Sequence, residues 1–212
     1  MIKILVVDDH TLVRDSLCRL LDGEGDMEVV GQAGSGHKAV ELCRELNPNV
    51  VILDYSLPDL DGLETTRQII SLELGTRVLI LTMYANEEYA TRLIRAGAAG
   101  FLVKAASTDE LLGAIRKVAR KGVYVSPSIM EKMVSRMGQT PEEAPESVLS
   151  DREMQVLLRL AKGSTTREVS QSLSLSVSTV ETYRSRILEK LNLRNNSDLT
   201  RFAIRRGLID LD

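Results

Sequence analysis

Ile4-Leu5-Val6-Val7-Asp8-Asp9, Val50-Val51-Ile52-Leu53-Asp54, Val78-Leu79-Ile80-Leu81-Thr82 and Phe101-Leu102-Val103-Lys104 share one pattern. Each is a short apolar run of buried-strand length, closed by one or two polar residues. If these strands are parallel neighbours, Asp8, Asp9, Asp54, Thr82 and Lys104 gather at their carboxyl ends, where open α/β sheets hold ligands. Three carboxylates, a hydroxyl and an ammonium in one crevice suit a divalent cation and a phosphoryl group.

Outward from these runs, the first 122 residues alternate strand-like and helix-like segments. Strands read at about 2–7, 27–33, 50–54, 77–82 and 100–104, and helices at about 11–22, 36–46, 61–72, 87–96 and 107–121. Leu12, Val13, Leu17, Leu20 and Leu21 give the first helix a one-sided apolar stripe, as Leu111, Leu112, Ile115, Val118 and Ala119 do the fifth. Apolar strands in strict alternation with helices predict a parallel sheet covered on both faces. The expected fold class is an α/β flavodoxin-like (βα)5 unit with a five-stranded parallel sheet.

At 212 residues the chain has room for two modest domains. With no Trp and 3% aromatics, aliphatic side chains must fill the cores. No apolar run approaches the roughly 20 residues of a membrane span, and no signal-peptide pattern opens the chain, so a cytoplasmic protein is expected. Cys18 and Cys43 lie in amphipathic helical patterns and read as buried thiols of a reducing compartment. His10 and His37 are too few and too scattered for a transition-metal site, and the absence of a Gly-x-Ser-x-Gly elbow argues against a Ser-His-Asp hydrolase.

The net charge of −3 hides an asymmetry: residues 1–147 hold 16 basic against 22 acidic residues, and residues 148–212 hold 11 against 8. The basic end is the one suited to a polyanion. Between the two regions, Ser126-Pro127 starts a short helix near 128–137 with Met130, Met133 and Met137 as a packing stripe. The polar, Pro-bearing run from Gly138 to Glu146 reads as a linker. The domain division is thus 1–122, a linker with a short helix at 123–147, and a helical domain at 148–212.

In the crevice, a hard cation relieves repulsion among the carboxylates through oxygen coordination. A carboxylate that stays nucleophilic can attack an acyl or histidyl phosphate to give an aspartyl phosphate, and Asp54 on the central strand is best placed for this. Two rivals are weaker. Gly31-Gln32-Ala33-Gly34-Ser35-Gly36 follows the second strand and lacks the Gly-x-Gly-x-x-Gly spacing of a dinucleotide loop. A haloacid-dehalogenase-like phosphatase wants Asp-x-Asp after its first strand, whereas Asp8 and Asp9 are adjacent.

Residues 1–122 resemble the receiver domain of two-component response regulators. The resemblance rests on Val7-Asp8-Asp9, Asp54-Tyr55-Ser56-Leu57-Pro58-Asp59-Leu60-Asp61-Gly62, Leu81-Thr82 and Gly97-Ala98-Ala99-Gly100-Phe101-Leu102-Val103-Lys104. It implies that Asp54 accepts a phosphoryl group from a sensor histidine kinase. Mg2+ would be held by Asp9, Asp54 and the main-chain carbonyl of Ser56, with Asp8 acting through water. Thr82 and Lys104 would contact the phosphoryl oxygens, and Thr82 and Phe101 would form the switch pair. The receiver would catalyse its own aspartyl phosphorylation and dephosphorylation without being a stand-alone enzyme. Ser56 and Tyr84 flank the crevice and are candidates to tune the lifetime of the phosphoryl group. The chain departs from the family pattern at Leu57, where Met is common, and at Ala105, where many receivers place a cis Pro. A trans bond is expected before Ala105, since a cis non-Pro bond costs about 2.5–4 kcal/mol.

From Ser150 four short helices are expected. Ser150 and Glu153 form a capping box, Gly163 ends the first helix, and a second spans about 165–173. Ser176 caps a third, to about Leu191, and a fourth spans about 197–206. On spacing alone, a small helical oligomerisation domain with solvated charges is favoured over a DNA-binding one. Leu149-Ser150-Asp151-Arg152-Glu153, Leu160-Ala161-Lys162-Gly163, Thr179-Val180 and Lys190-Leu191 resemble the LuxR-type helix-turn-helix, so the whole chain is similar to a NarL/FixJ-type response regulator. The resemblance implies that the third helix enters the DNA major groove, presenting Ser178, Glu181, Thr182, Ser185 and Arg186. Arg167, Arg184, Arg186, Lys190 and Arg194 are then candidates for phosphate contacts. Many relatives carry Lys where this chain has Glu181, which would instead accept from a cytosine amino group or pair with Arg184 or Ser185. Implied partners are a cognate kinase, operator DNA, a second copy of the chain upon phosphorylation, and RNA polymerase. The competing class is a phosphorelay module whose helical domain binds protein.

Overall fold

The apolar runs form β1 (Ile2–Val7), β2 (Met27–Ala33), β3 (Val50–Leu53), β4 (Arg77–Thr82) and β5 (Gly100–Val103). Alternating with them are α1 (Thr11–Asp22), α2 (Gly36–Leu46), α3 (Gly62–Ser71), α4 (Glu87–Arg95) and α5 (Thr108–Ala119). The computed structural model describes residues 1–83, 87–136, 149–173, 175–206 and 208–209. The chain divides into two compact units, Met1–Met137 and Gly138–Asp212.

In the first unit all strand pairs are parallel, in the order β2-β1-β3-β4-β5 with one further strand beyond β5. Side chains alternate across the sheet. Ile4, Val6, Val50, Ile52, Leu79, Leu81 and Leu102 share a core with Leu21 of α1 and Leu111, Ile115 and Val118 of α5. The intervening Leu5, Val7, Val51, Leu53, Ile80 and Phe101 are equally buried, on the face that α2, α3 and α4 cover. Cys18 and Cys43 are buried and free, and burial pushes the Cys43 thiol up to about 12.

The sheet has six strands where the sequence pattern gave five. β6 (Tyr124–Val125) pairs with Gly100 and Phe101, with Tyr124 N–H donating to Ala99 O at 3.0 Å. Gly100 permits this approach, because a Cβ there would lie 2.9 Å from the Tyr124 carbonyl oxygen and 2.6 Å from Leu79 Cδ1. The short helix expected near 128–137 is α6 (Pro127–Arg136), which packs on α4 within the first unit. The linker reading of 138–146 falls outside the described residues.

The second unit is helical: α7 (Asp151–Ala161), α8 (Thr166–Ser172), α9 (Val177–Lys190) and α10 (Asn196–Arg205). Each helix begins at a residue whose side chain accepts a backbone N–H of the first turn: Ser150, Thr165, Ser176 and Asn195. The expected Ser150–Glu153 capping box is present, and Thr165 with Glu168 forms a second. Val156, Leu157, Leu160, Val169, Val180, Ile187, Leu199 and Phe202 are buried, and α7 packs against α8, α9 and α10.

Candidate functional site

The strand order reverses between β1 and β3, and a crevice opens at their carboxyl ends. Backbone bonds fix the side chains around it. Asp54 N–H donates to Val7 O at 2.8 Å, Asp8 N–H to Ala33 O at 3.1 Å, and Lys104 N–H to Thr82 O at 2.7 Å. Gly62 lets α3 begin directly beneath Asp54, since a Cβ would stand 2.8 Å from Tyr55 Cα. Described residues include no cis peptide, so the bond before Ala105 is trans, as expected.

Lys104 Nζ donates to Asp8 Oδ2 at 2.6 Å and to Asp54 Oδ2 at 2.8 Å. Asp8, Asp54 and Thr82 are buried, while Asp9 is exposed. Burial raises the Asp54 carboxyl above its ordinary range, and the charge of Asp8 adds to this, against the attraction of Lys104. Burial also acts to lower the Lys104 ammonium, but Asp54 and Asp8 outweigh it and hold the ammonium above its usual value. Asp8, Asp9 and Asp54 set three carboxylates beside the one ammonium of Lys104, so the crevice holds more negative charge than that ammonium neutralises.

Ligand atoms of Asp8, Asp9, His10 and Asp54 lie within 4.8 Å of one another. Three carboxylates with a deficit of positive charge make this an acidic pocket able to hold a hard cation. His10, which with His37 is too few and too scattered for a transition-metal site, joins the carboxylates: its Nδ1 lies 2.8 Å from Asp9 Oδ1 and its backbone N–H donates to Asp8 Oδ1 at 2.8 Å. Adjacency to Asp8-Asp9 was the available signal. Phe101 is fully buried one strand away, and Thr82 is 2% exposed. Ser56 N–H reaches Asp54 Oδ1 at 3.4 Å, while Tyr84 lies outside the described residues.

The glycine-rich segment 31–36 does not form a phosphate loop. Gly31–Ala33 belongs to β2, Ser35 caps α2, and the Gly36 and His37 N–H groups donate to the Asp59 carboxylate at 2.7 and 2.9 Å. Burial acts to raise the Asp59 carboxyl, but these bonds and the His37 side chain hold it far below the ordinary carboxylate range. Asp59 thereby ties the loop after Asp54 to α2.

In the second unit, Ser178, Glu181, Thr182, Ser185, Arg186 and Lys190 are exposed on α9, and Arg167 and Arg194 are exposed on α8 and beyond α9. Arg184 is half-buried: its Nε donates to Asn196 Oδ1 at 2.7 Å, and its Nη1 lies 3.6 Å from Glu181 Oε2. Lys190 Nζ donates to Glu153 Oε2 at 2.7 Å. Described residues include no helix long and apolar enough to cross a membrane.

Comparison with known proteins agrees with both units. The response regulator receiver domain family matches residues 4–116, and the LuxR family of bacterial regulatory proteins matches residues 147–203. The chain is 39% identical to the response regulator GacA of Pseudomonas aeruginosa over 211 residues, covering 99% of both chains. It is 38% identical to the response regulator UvrY of Escherichia coli K12 over 213 residues, covering 100% of this chain and 98% of the relative. Among solved structures it is similar in fold to RcsB of Salmonella enterica bound to a promoter with a phosphomimetic. That likeness has 20% identity, covers 95% of this chain and 97% of that one, and has a TM-score of 0.63. A structure of two RcsB dimers on two parallel DNAs gives 20% identity, covers 95% and 96%, and has a TM-score of 0.59.

Proposed function

We propose that this chain, which belongs to the NarL/FixJ-type response regulators, is switched at Asp54 by phosphoryl transfer that raises the affinity of its α9 for DNA. The observation that carries the reading is the buried Asp54 carboxylate, 2.8 Å from Lys104 Nζ at the end of β3, among Asp8, Asp9 and His10.

An Asp54 carboxylate oxygen attacks the phosphorus of a phosphohistidine or acyl phosphate. The new P–O bond forms as the P–N or acyl P–O bond breaks, and the leaving imidazole takes a proton or the leaving carboxylate departs as the anion. Lys104 offers its ammonium, and Thr82 its hydroxyl, to the equatorial oxygens as charge gathers there. Asp9, Asp54 and the Ser56 carbonyl would hold Mg2+ directly and Asp8 through water. When bound there, Mg2+ would supply positive charge to offset the carboxylates and the phosphoryl oxygens. Water attack on the aspartyl phosphate at the same place would reverse the modification, so the chain turns over its own phosphoryl group and no external substrate.

Phosphorylation then shifts a pre-existing equilibrium through Thr82. Phe101 and Thr82 are both already buried, so the switch pair would act by a change of packing at the crevice rather than by bringing either side chain in from solvent. The favoured state pairs two chains about a two-fold axis, which places two α9 helices on paired half-sites. The sensor kinase, duplex DNA and RNA polymerase are the partners this reading calls for.

The test treats wild type and Asp54→Ala with acetyl phosphate and Mg2+. Wild type should gain one acid-labile phosphoryl group by mass and bind a selected duplex at least about tenfold more tightly, while Asp54→Ala gains neither. A phosphodonor-dependent gain in the variant would sink the reading.

A further inference from the structure

We infer that Glu181 is a specificity-determining residue that reads the exocyclic amine of a cytosine in each operator half-site; the inference rests on α9 entering the major groove. Glu181 lies on the exposed face of α9 among Ser178, Thr182 and Ser185. The hydroxyls on either side of it are already engaged. Thr182 Oγ1 donates to Ser178 O at 2.9 Å, and Ser178 Oγ shares a 2.7 Å hydrogen bond with Ser176 Oγ.

Glu181 differs from these neighbours in kind, because an ionised carboxylate only accepts. Against the DNA backbone it meets phosphate repulsion, so on a groove-facing helix it gains most opposite a donor on a base edge. In the major groove the donors are cytosine N4 and adenine N6. Adenine sets its N7 acceptor beside that amine, which repels the second carboxylate oxygen. Cytosine sets a carbon-bound hydrogen there, so cytosine is the better fit.

Arg184 braces the carboxylate from behind. Its Nε is held by Asn196 Oδ1 of α10 at 2.7 Å, which leaves Nη1 3.6 Å from Glu181 Oε2. Anchored to the next helix, this guanidinium offsets phosphate repulsion on Glu181 without bonding it closely. Arg184 is therefore a positioning residue rather than a backbone contact.

The experiment selects from a random duplex library with the full-length wild type, Glu181→Gln and Glu181→Ala, each with Mg2+ and acetyl phosphate. Wild type should prefer cytosine at one position per half-site by about tenfold over the other bases. Glu181→Ala should flatten that position alone, and Glu181→Gln, which carries a donor beside its acceptor, should move it to adenine. An Ala variant that selects the same base as strongly as wild type overturns the assignment. So does a wild type that binds DNA in a salt-dependent way but shows no cytosine position, and in that case the DNA-binding reading stands. A wild type that binds no duplex even at low salt overturns both.

Discussion

Lys104 has opposite effects on a cation and on a phosphoryl group. Its ammonium bonds Asp8 and Asp54 at 2.6 and 2.8 Å, so it would compete with a divalent cation for these carboxylates yet act with it on an incoming phosphoryl group. Replacing it with Met removes one positive charge from the edge of the crevice. Divalent-cation affinity should then rise on the order of tenfold, the size of a screened repulsion across a few ångströms. Without cation, the variant should lose about 3 kcal/mol of stability, since two buried carboxylates lose their counter-charge. Phosphoryl acceptance should slow even though the cation binds more tightly. Titration calorimetry with Mg2+, beside denaturant melts with and without the ion, reads these outcomes; unchanged or weaker cation binding would contradict them. Asp8, Asp54 and Lys104 were legible because each closes an apolar run, and strand ends converge in any parallel sheet. Asp59 was not legible as the clamp on α2, because its bonds to Gly36 and His37 cross 23 and 22 residues and exist only once two βα units have packed.

Among elements, α7 shows how far local sequence reaches. The Ser150–Glu153 box could be read from a spacing of three, and it is present: Glu153 Oε2 accepts from Ser150 N at 2.7 Å and Ser150 Oγ at 2.9 Å. The third partner, Lys190 of α9, is 37 residues away, beyond the reach of a local spacing rule, and is also one of the candidates for a phosphate contact. β6 was missed for a related reason, since a two-residue strand carries no periodicity and depends on Gly100 leaving room for its backbone. Burial acts to raise the Glu153 carboxyl, but Lys190 and Ser150 outweigh it and hold it below its ordinary value of 4.5. A carboxyl depressed by folding stabilises in full above its unfolded value, and the contribution disappears as pH falls through the folded one. Gln at 153 keeps the cap but not the charge. Glu153→Gln should therefore cost about 1 kcal/mol at pH 7, a modest figure because Lys190 stands partly in water. The cost should shrink towards zero as pH falls through the depressed Glu153 value, below the ordinary glutamate range. Hydrogen-exchange protection of the α7 amides in the intact chain measures it, and a gap that persists in acid would mean the ion pair is not its source.

For the whole molecule, charge separates two tasks that the fold places in two units. The region up to 147 carries an excess of acid, 22 against 16, and the region from 148 an excess of base, 11 against 8. The excess of base is small, so under the proposed DNA-binding reading single-site affinity would rest on a few exposed cations such as Arg167, Arg186 and Arg194. Each phosphate neutralised contributes about −0.9 to the slope of log affinity against log salt. Coupling Asp54 to DNA through dimerisation has a consequence that release of α9 from a block does not share. Pairing two chains doubles the number of cations on the duplex, so acetyl phosphate should roughly double the salt slope as well as raise the affinity. Arg186→Ala should lower the slope by about one without the phosphodonor and by about two with it, weakening all sequences alike. Fluorescence anisotropy on a single duplex from 50 to 200 mM salt reads both slopes. If affinity rises while the slope stays fixed, the phosphoryl group unmasks a single α9, and the two-fold dimer is not the active form.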